Sequence, residues 1–283
     1  MDWRRKGQRV ALVPTMGALH DGHLSLVRQA KQHADHVIVS IFVNPTQFGP
    51  GEDFEQYPRS LHSDAELCRQ EKVSLVFAPD FSEMYGAKKH DRHQYITFRI
   101  KKMTEYLCGP FRPGHFEGVL QVVNKLFNIV KPDVAVFGQK DIQQWYLIRK
   151  MIEELDHPIE MLMGPTRREP DGLARSSRNV YLSGPERKAA PMLFQTLQRV
   201  RNGLEKKGTR EAIPVDGAII SEEVKRLSEN GLKVEYFSIV STPDLQPAAA
   251  IEPGQTYVIA VAVRFGKSRL IDNVIISHKE LPE

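Results

Sequence analysis

Arg9-Val10-Ala11-Leu12-Val13-Pro14-Thr15-Met16-Gly17-Ala18-Leu19-His20-Asp21-Gly22-His23 is the stretch on which the reading of this chain turns. Its apolar residues follow one another without alternation, which predicts a strand over Arg9–Val13 buried on both faces. Beyond it Leu24, Val27, Ala30 and Ala34 recur every three to four residues, one face of a helix. The polar, glycine-containing stretch between them therefore lies where a strand ends and a helix begins. In an open parallel sheet ligands gather outside the carboxyl ends of strands. A helix N-terminus there offers free N–H groups and a positive dipole end, which favour phosphate. His20 and His23 flank Gly22, which leaves room for a nucleotide. Imidazole N–H groups donate to phosphate oxygens and share a proton near neutral pH. As an isolated tetrapeptide this would be a pair of surface histidines at a turn; its placement favours phosphate handling. A zinc site is the weaker reading, because no third ligand has suitable spacing.

Working outward, Val37–Val43, Val73–Ala78, Val134–Phe137 and Ile159–Met163 are similar Val/Ile-rich runs. Helical patterns over Ser60–Arg69, Val119–Ile129 and Trp145–Leu155 precede the third, fourth and fifth strands. Strand and helix in alternation predict an α/β domain with a parallel sheet over residues 1–165. After Gly164 the pattern changes. A polar, turn-rich segment, Pro165–Asn179, leads to helices over Pro185–Leu204 and Val215–Leu227, then to strands over Val234–Val240, Tyr257–Val263 and Arg269–Ile276. This predicts a smaller α+β domain over residues 166–283.

The composition excludes several classes. Of 283 residues 41% are hydrophobic and 26% charged, a globular balance that rules out a disordered or collagen-like chain. The net charge is +4, and most of that surplus sits in the first ten residues, at Arg4, Arg5, Lys6 and Arg9. The rest is nearly neutral, which argues against nucleic-acid binding. No apolar run approaches the ~20 residues of a membrane span. The basic start lacks an apolar segment long enough for a signal peptide. Cys68 and Cys108 are far apart and outside any CxxC pair, which points to reduced thiols and a cytoplasmic protein.

Three further clusters carry chemistry. Asn44-Pro45-Thr46-Gln47-Phe48 closes the second strand with neutral hydrogen-bonding groups beside an aromatic, suited to a small polyhydroxy substrate; alone, it is an ordinary Asn-Pro turn. Gly138-Gln139-Lys140-Asp141 closes the fourth, where glycine lets backbone reach a ribose and lysine supplies a point charge for phosphate; a plain helix start weighs about equally. Arg175-Ser176-Ser177-Arg178, two hydroxyls between two guanidiniums, matches a triphosphate, though most such runs are solvated loops.

In this order and spacing the chain resembles the pantoate–β-alanine ligase family (pantothenate synthetases) of the nucleotidylyltransferase superfamily. The matching pieces are Pro14–His23, Ser40–Phe48, Tyr57-Pro58-Arg59, Arg112–Phe116, Lys125–Asp141 with Gln143-Gln144, Asp171–Tyr181 and the tail Arg269-Leu270-Ile271-Asp272-Asn273. The resemblance implies a Rossmann-like domain that binds ATP and pantoate, with a C-terminal lid domain that contacts phosphate. It implies a cytoplasmic homodimer, acting in pantothenate and coenzyme A synthesis, that joins pantoate to β-alanine through pantoyl adenylate and releases AMP and pyrophosphate. It also implies that Met16, Gly17, Ala18, Leu19, His20, Asp21, Gly22 and His23 hold ATP, with His23, His20 and Lys140 catalytic. Gln47, Gln144 and Asn44 would bind substrate. Gly138, Gln139, Lys140 and Asp141 would hold ribose and phosphate, and Arg167 adenine through its main chain. Arg175, Ser176, Ser177 and Arg178 would close over the phosphates. Mg2+ would bind through phosphate oxygens, with Asp64 a water-mediated partner. Departures include Gln139 where the family often has Glu, Thr46 where it has Met or Leu, and Arg167 and Arg175 at frequently apolar positions. Family members also carry an extra strand and helix before the first strand seen here, which predicts an exposed sheet edge or altered oligomer packing. The competing readings are a related nucleotidyltransferase with another acceptor and a nucleotide-binding module without catalysis.

Overall fold

In the computed structural model, residues 2–86, 96–205 and 212–277 are described. The chain forms two compact units. The first is drawn from Met1–Ile100, Arg112–Gln139 and Gln144–Arg167, the second from Lys101–Phe111, Lys140–Gln143 and Arg168–Glu283. Two short pieces of the first half thus lie in the second unit.

In the first unit a short helix α1 (Asp2–Arg5) precedes β1 (Val10–Thr15), α2 (Asp21–Ala30), β2 (His36–Ile41), α3 (Leu61–Gln70), β3 (Leu75–Phe77) and α4 (Phe81–Tyr85). Then come α5 (His115–Val130), β4 (Val134–Gly138), α6 (Ile142–Glu154) and β5 (Glu160–Gly164). The sheet runs β3-β2-β1-β4-β5 and every pairing is parallel. This is the parallel α/β arrangement that the alternation predicted and the Rossmann-like domain that the resemblance implied. Val10, Ala11, Leu12 and Val13 are at most 1% exposed, as a continuous apolar run in a central strand requires. The edge strands β3 and β5 are only partly buried. Order reverses beside β1: the chain first builds outward through β2 and β3, then returns to β4 on the other side. The carboxyl ends of β1 and β4 therefore flank the topological switch point where such sheets bind ligands.

The second unit contains α7 (Gly184–Ala189), α8 (Met192–Glu205), β6 (Ile213–Pro214), α9 (Gly217–Glu229), β7 (Lys233–Ser241), β8 (Ala250–Ile251), β9 (Thr256–Phe265) and β10 (Ser268–Ser277). An antiparallel sheet β10-β9-β7 packs its apolar side chains with Leu193, Leu197, Val200 and Leu204 of α8 and Leu227 of α9. The helix expected over Pro185–Leu204 is two helices, because Pro191 lacks the N–H that a continuous helix needs and its ring crowds the preceding turn. The excursion Lys101–Phe111 is held by Gln143, whose Oε1 accepts from Cys108 N (2.8 Å) and whose Nε2 donates to Met103 O (2.8 Å) and Tyr106 O (2.9 Å). Among the described residues no helix is long and apolar enough to cross a membrane.

Candidate active site

The chain leaves β1 through Gly17 (φ +83°) and Ala18 (φ +50°), both left-handed. A side chain at Gly17 would place its Cβ 2.9 Å from Asp64 Oδ2, so glycine is required by close approach as well as by φ. Asp64, in the first turn of α3, is 2% exposed. Its two oxygens accept from Ala18 N (2.9 Å) and Leu19 N (2.8 Å). The helix end behind it favours the negative charge.

α2 then begins with a capping box built from two imidazoles. His20 is the N-cap in extended conformation; its Nδ1 accepts from Gly22 N at 3.1 Å, and His23 Nδ1 accepts from His20 N at 3.3 Å. Ser or Thr with Glu ordinarily fills these places. With Nδ1 an acceptor in both rings, the neutral tautomer carries its proton on Nε2, so each ring is an Nε2–H donor. The rings lie 4.1 Å apart. Several main-chain N–H groups of this stretch have partners: Gly17 N donates to Thr15 Oγ1, Ala18 and Leu19 N to Asp64 of α3, His20 N to His23, and Gly22 N to His20. Arg167 lies beside the start of α2: a Cβ on Gly22 would be 3.9 Å from Arg167 Cβ.

At the end of β2, Gln47 is 8% and Asn44 1% exposed. Asn44 Nδ2 donates to Gln47 Oε1 (3.2 Å) and Gly118 O (3.1 Å), while its Oδ1 accepts from Tyr85 OH (2.8 Å) and Thr46 Oγ1 (3.0 Å). Asn44 is thereby a brace for Gln47. Gln47 Nε2 donates to Met16 Sδ at 3.1 Å, a weak acceptor that a ligand oxygen would outcompete. Gln144 stands in the first turn of α6 and Gly138 at the end of β4. The first unit thus brings Met16–His23, Asn44, Gln47, Gly138 and Arg167 to one edge of its sheet.

Lys140 and Asp141 lie in the second unit, in a tight turn Gln139–Asp141 with Lys140 Nζ 3.8 Å from Asp141 Oδ2. The Lys140 carbonyl accepts from Asn273 Nδ2 at 3.0 Å. Asp272 beside it pairs with Arg168 through two hydrogen bonds of 2.5 and 2.9 Å. Burial raises the Asp272 pKa, and Arg168 opposes that pull. Arg175 pairs with Glu169 at 3.3 Å, and Ser176 Oγ caps the turn Ser177–Tyr181 by accepting from Arg178 N. Among the described residues no three of His, Cys, Asp and Glu group as a metal site. Both Asp64 oxygens are engaged by the loop.

Sequence reasoning passed over the loop clamp by Asp64, the hold of Asn273 on Lys140, and the pairing of the Arg112 guanidinium with Glu52. The tail motif Asp272-Asn273 was the one visible signal.

Comparison with known proteins decides the family: the profile of pantoate-β-alanine ligase matches residues 1–275. The chain belongs to the pantoate–β-alanine ligase family. It is 47% identical over 273 residues to a pantothenate synthetase of Stutzerimonas stutzeri, covering 96% of this chain and 92% of that one. To one from a Thermoanaerobacter species it is 50% identical over 270 residues, 95% and 91% of the two chains. The crystal structure of pantothenate synthetase from Thermus thermophilus superposes with a TM-score of 0.84 at 41% identity, covering 94% and 92%. A pantoate-β-alanine ligase from Francisella tularensis, complexed with β-γ ATP and β-alanine, gives 0.78 at 33% identity, covering 95% and 90%. Family membership makes the chain a ligase, and the residues above are its candidate machinery.

Proposed function

We propose that the chain condenses pantoate with β-alanine at the expense of ATP, in two steps. A pantoate carboxylate oxygen bonds to the α-phosphorus, the bridge to the β-phosphate breaks, and pyrophosphate leaves with the electron pair. The β-alanine nitrogen then bonds to the acyl carbon, the acyl C–O bond breaks, AMP leaves, and the amine loses a proton. A free carboxylate would have to expel oxide; the adenylate expels AMP.

The observation that carries this reading is the histidine capping box at the end of β1, which aims two tautomer-fixed N–H donors from a helix N-terminus. In it His20 and His23 steady the triphosphate as charge grows on the departing pyrophosphate. Gln47, held by Asn44, exchanges its thioether contact for a pantoate oxygen and later meets β-alanine; Gln144 is assigned to pantoate. Gly138, Gln139, Lys140 and Asp141 are assigned to ribose and phosphate, Arg167 to adenine through its main chain, and Arg175–Arg178 to the phosphates. Magnesium enters as the ATP complex. A cytoplasmic homodimer belongs to the same reading.

The test is a coupled assay with ATP, pantoate, β-alanine and magnesium. Pyrophosphate released with pantoate alone and pantothenate formed only with β-alanine support the proposal. Pyrophosphate formed only with a different acceptor, or ATP binding without turnover of any acid, refutes it. In His23→Ala, adenylate formation falls roughly a hundredfold or more, by analogy with removal of one transition-state donor.

A further inference from the structure

Arg112 and His115 are outside the groups assigned above, yet a chain of hydrogen bonds leads from them to Gln47. The Arg112 guanidinium grips Glu52 in parallel, Nε to Oε1 and Nη2 to Oε2, both 2.7 Å. Burial raises the Glu52 pKa, but the hydrogen bonds and charge of Arg112 outweigh it and hold the carboxyl below its ordinary range. The third edge of the guanidinium, Nη1, lies 2.8 Å from His115 Nε2. A guanidinium has only donors. His115 Nε2 therefore accepts, and the neutral ring carries its proton on Nδ1. That atom lies 2.8 Å from the main-chain oxygen of Gln47, which can only accept. Both ends dictate the same tautomer, and the ring is only 7% exposed. One turn further along α5, Gly118 O accepts from Asn44, and a Cβ on Gly118 would approach Thr46 O to 2.4 Å. The first turn of α5 thus touches the 44–47 segment through backbone on one side and the imidazole on the other.

We propose that Glu52, Arg112 and His115 form a positioning relay that fixes the Gln47 main chain, so that its side-chain amide is already placed for the carboxylic substrate. This rests on the assignment of Gln47 to pantoate. None of the three touches substrate; each acts through the next, from an ion pair to a polarised imidazole to a carbonyl. The design suits a residue on a turn, whose own backbone has few ladder hydrogen bonds to hold it.

The test compares His115→Leu, which removes both hydrogen bonds at similar bulk, with His115→Asn, which keeps an N–H near the Nδ1 position. Glu52→Gln loosens the far end of the relay. His115→Leu is expected to raise the pantoate KM about tenfold, the order of one lost buried hydrogen bond, with the ATP KM unchanged. His115→Asn regains most of the loss. If His115→Leu fails to fold, Glu52→Gln carries the comparison, with a smaller rise confined to pantoate. An unchanged pantoate KM, or equal rises for both substrates, overturns the relay. An independent readout needs no turnover: long-range 1H–15N spectra of the histidine rings, with His115 assigned by the His115→Asn variant. An Nδ1–H tautomer supports the relay, and an Nε2–H tautomer or an imidazolium at neutral pH overturns it. Wild-type protein that makes no pantothenate yet shows the Nδ1–H tautomer sinks the functional assignment of Gln47 and leaves the hydrogen-bond chain standing.

Discussion

Asp64→Asn separates a loop clamp from a metal partner. The carboxylate accepts two main-chain N–H groups at 2.9 and 2.8 Å and is 2% exposed. An amide in its place accepts one and presents an NH2 group to the other. Losing one hydrogen bond to a charged acceptor, with a buried donor left facing a donor, costs roughly 2–4 kcal/mol. Relaxation of Ala18 from its left-handed conformation returns about 1 kcal/mol. The net, about 1–3 kcal/mol, corresponds to a Tm lower by roughly 2–12 °C for a unit of this size. The displaced Ala18–Leu19 backbone runs straight into the His20–His23 box, so kcat/KM for ATP falls about tenfold to a hundredfold. Thermal melts by circular dichroism and ATP titration by calorimetry check both. An unaltered Tm, with a raised magnesium requirement that excess magnesium corrects, would refute the clamp and restore the metal role.

Asp272→Ala strands Arg168, 3.7 Å over the Phe194 ring, without its carboxylate; the second unit loses about 3–5 kcal/mol, seen as faster hydrogen exchange in β9 and β10, and unchanged exchange contradicts this. Glu223 is pulled up by burial and further down by the hydrogen bond and charge of Arg199, to a net pKa below 4.5. The stabilisation is therefore present above pH 4.5 and is lost as pH falls through the folded value. Wild type exceeds Glu223→Gln in urea stability at neutral pH and the gap closes in acid; a gap constant with pH counts against the pair. Burial, aided by the Asp64 charge, pushes the Cys68 thiol up to about 11. In a Cys108→Ser background it reacts with a disulfide reagent at pH 8 only after denaturation, and rapid reaction of the native protein would show the thiol to be open.

The parallel sheet was legible because burial on both faces leaves a direct mark: Val10–Val13 and Val134–Val136 are continuous apolar runs and are buried throughout. The position of His20 and His23 was legible for the same reason, since strand and helix periodicity bracket them. Their use as caps was not, because imidazole seldom fills that role and the tautomer depends on atoms brought together by the turn. Asp64 and Ala18 are 46 residues apart, and nothing local to either announces the clamp. The assignment of Lys101–Phe111 to the second unit likewise depends on Gln143, 35 residues from Cys108. Pro191 was legible as a helix breaker and was passed over.

The grip of Asn273 on the Lys140 carbonyl spans 133 positions of chain. A ribosome adding 5–20 residues per second takes roughly 7–27 s to cover that distance. Throughout that interval the Lys140 carbonyl lacks this partner, whatever the state of the parallel sheet. A chain cut short before β10 therefore lacks Asn273, and with it this hold on the lysine turn, even where the parallel sheet has formed.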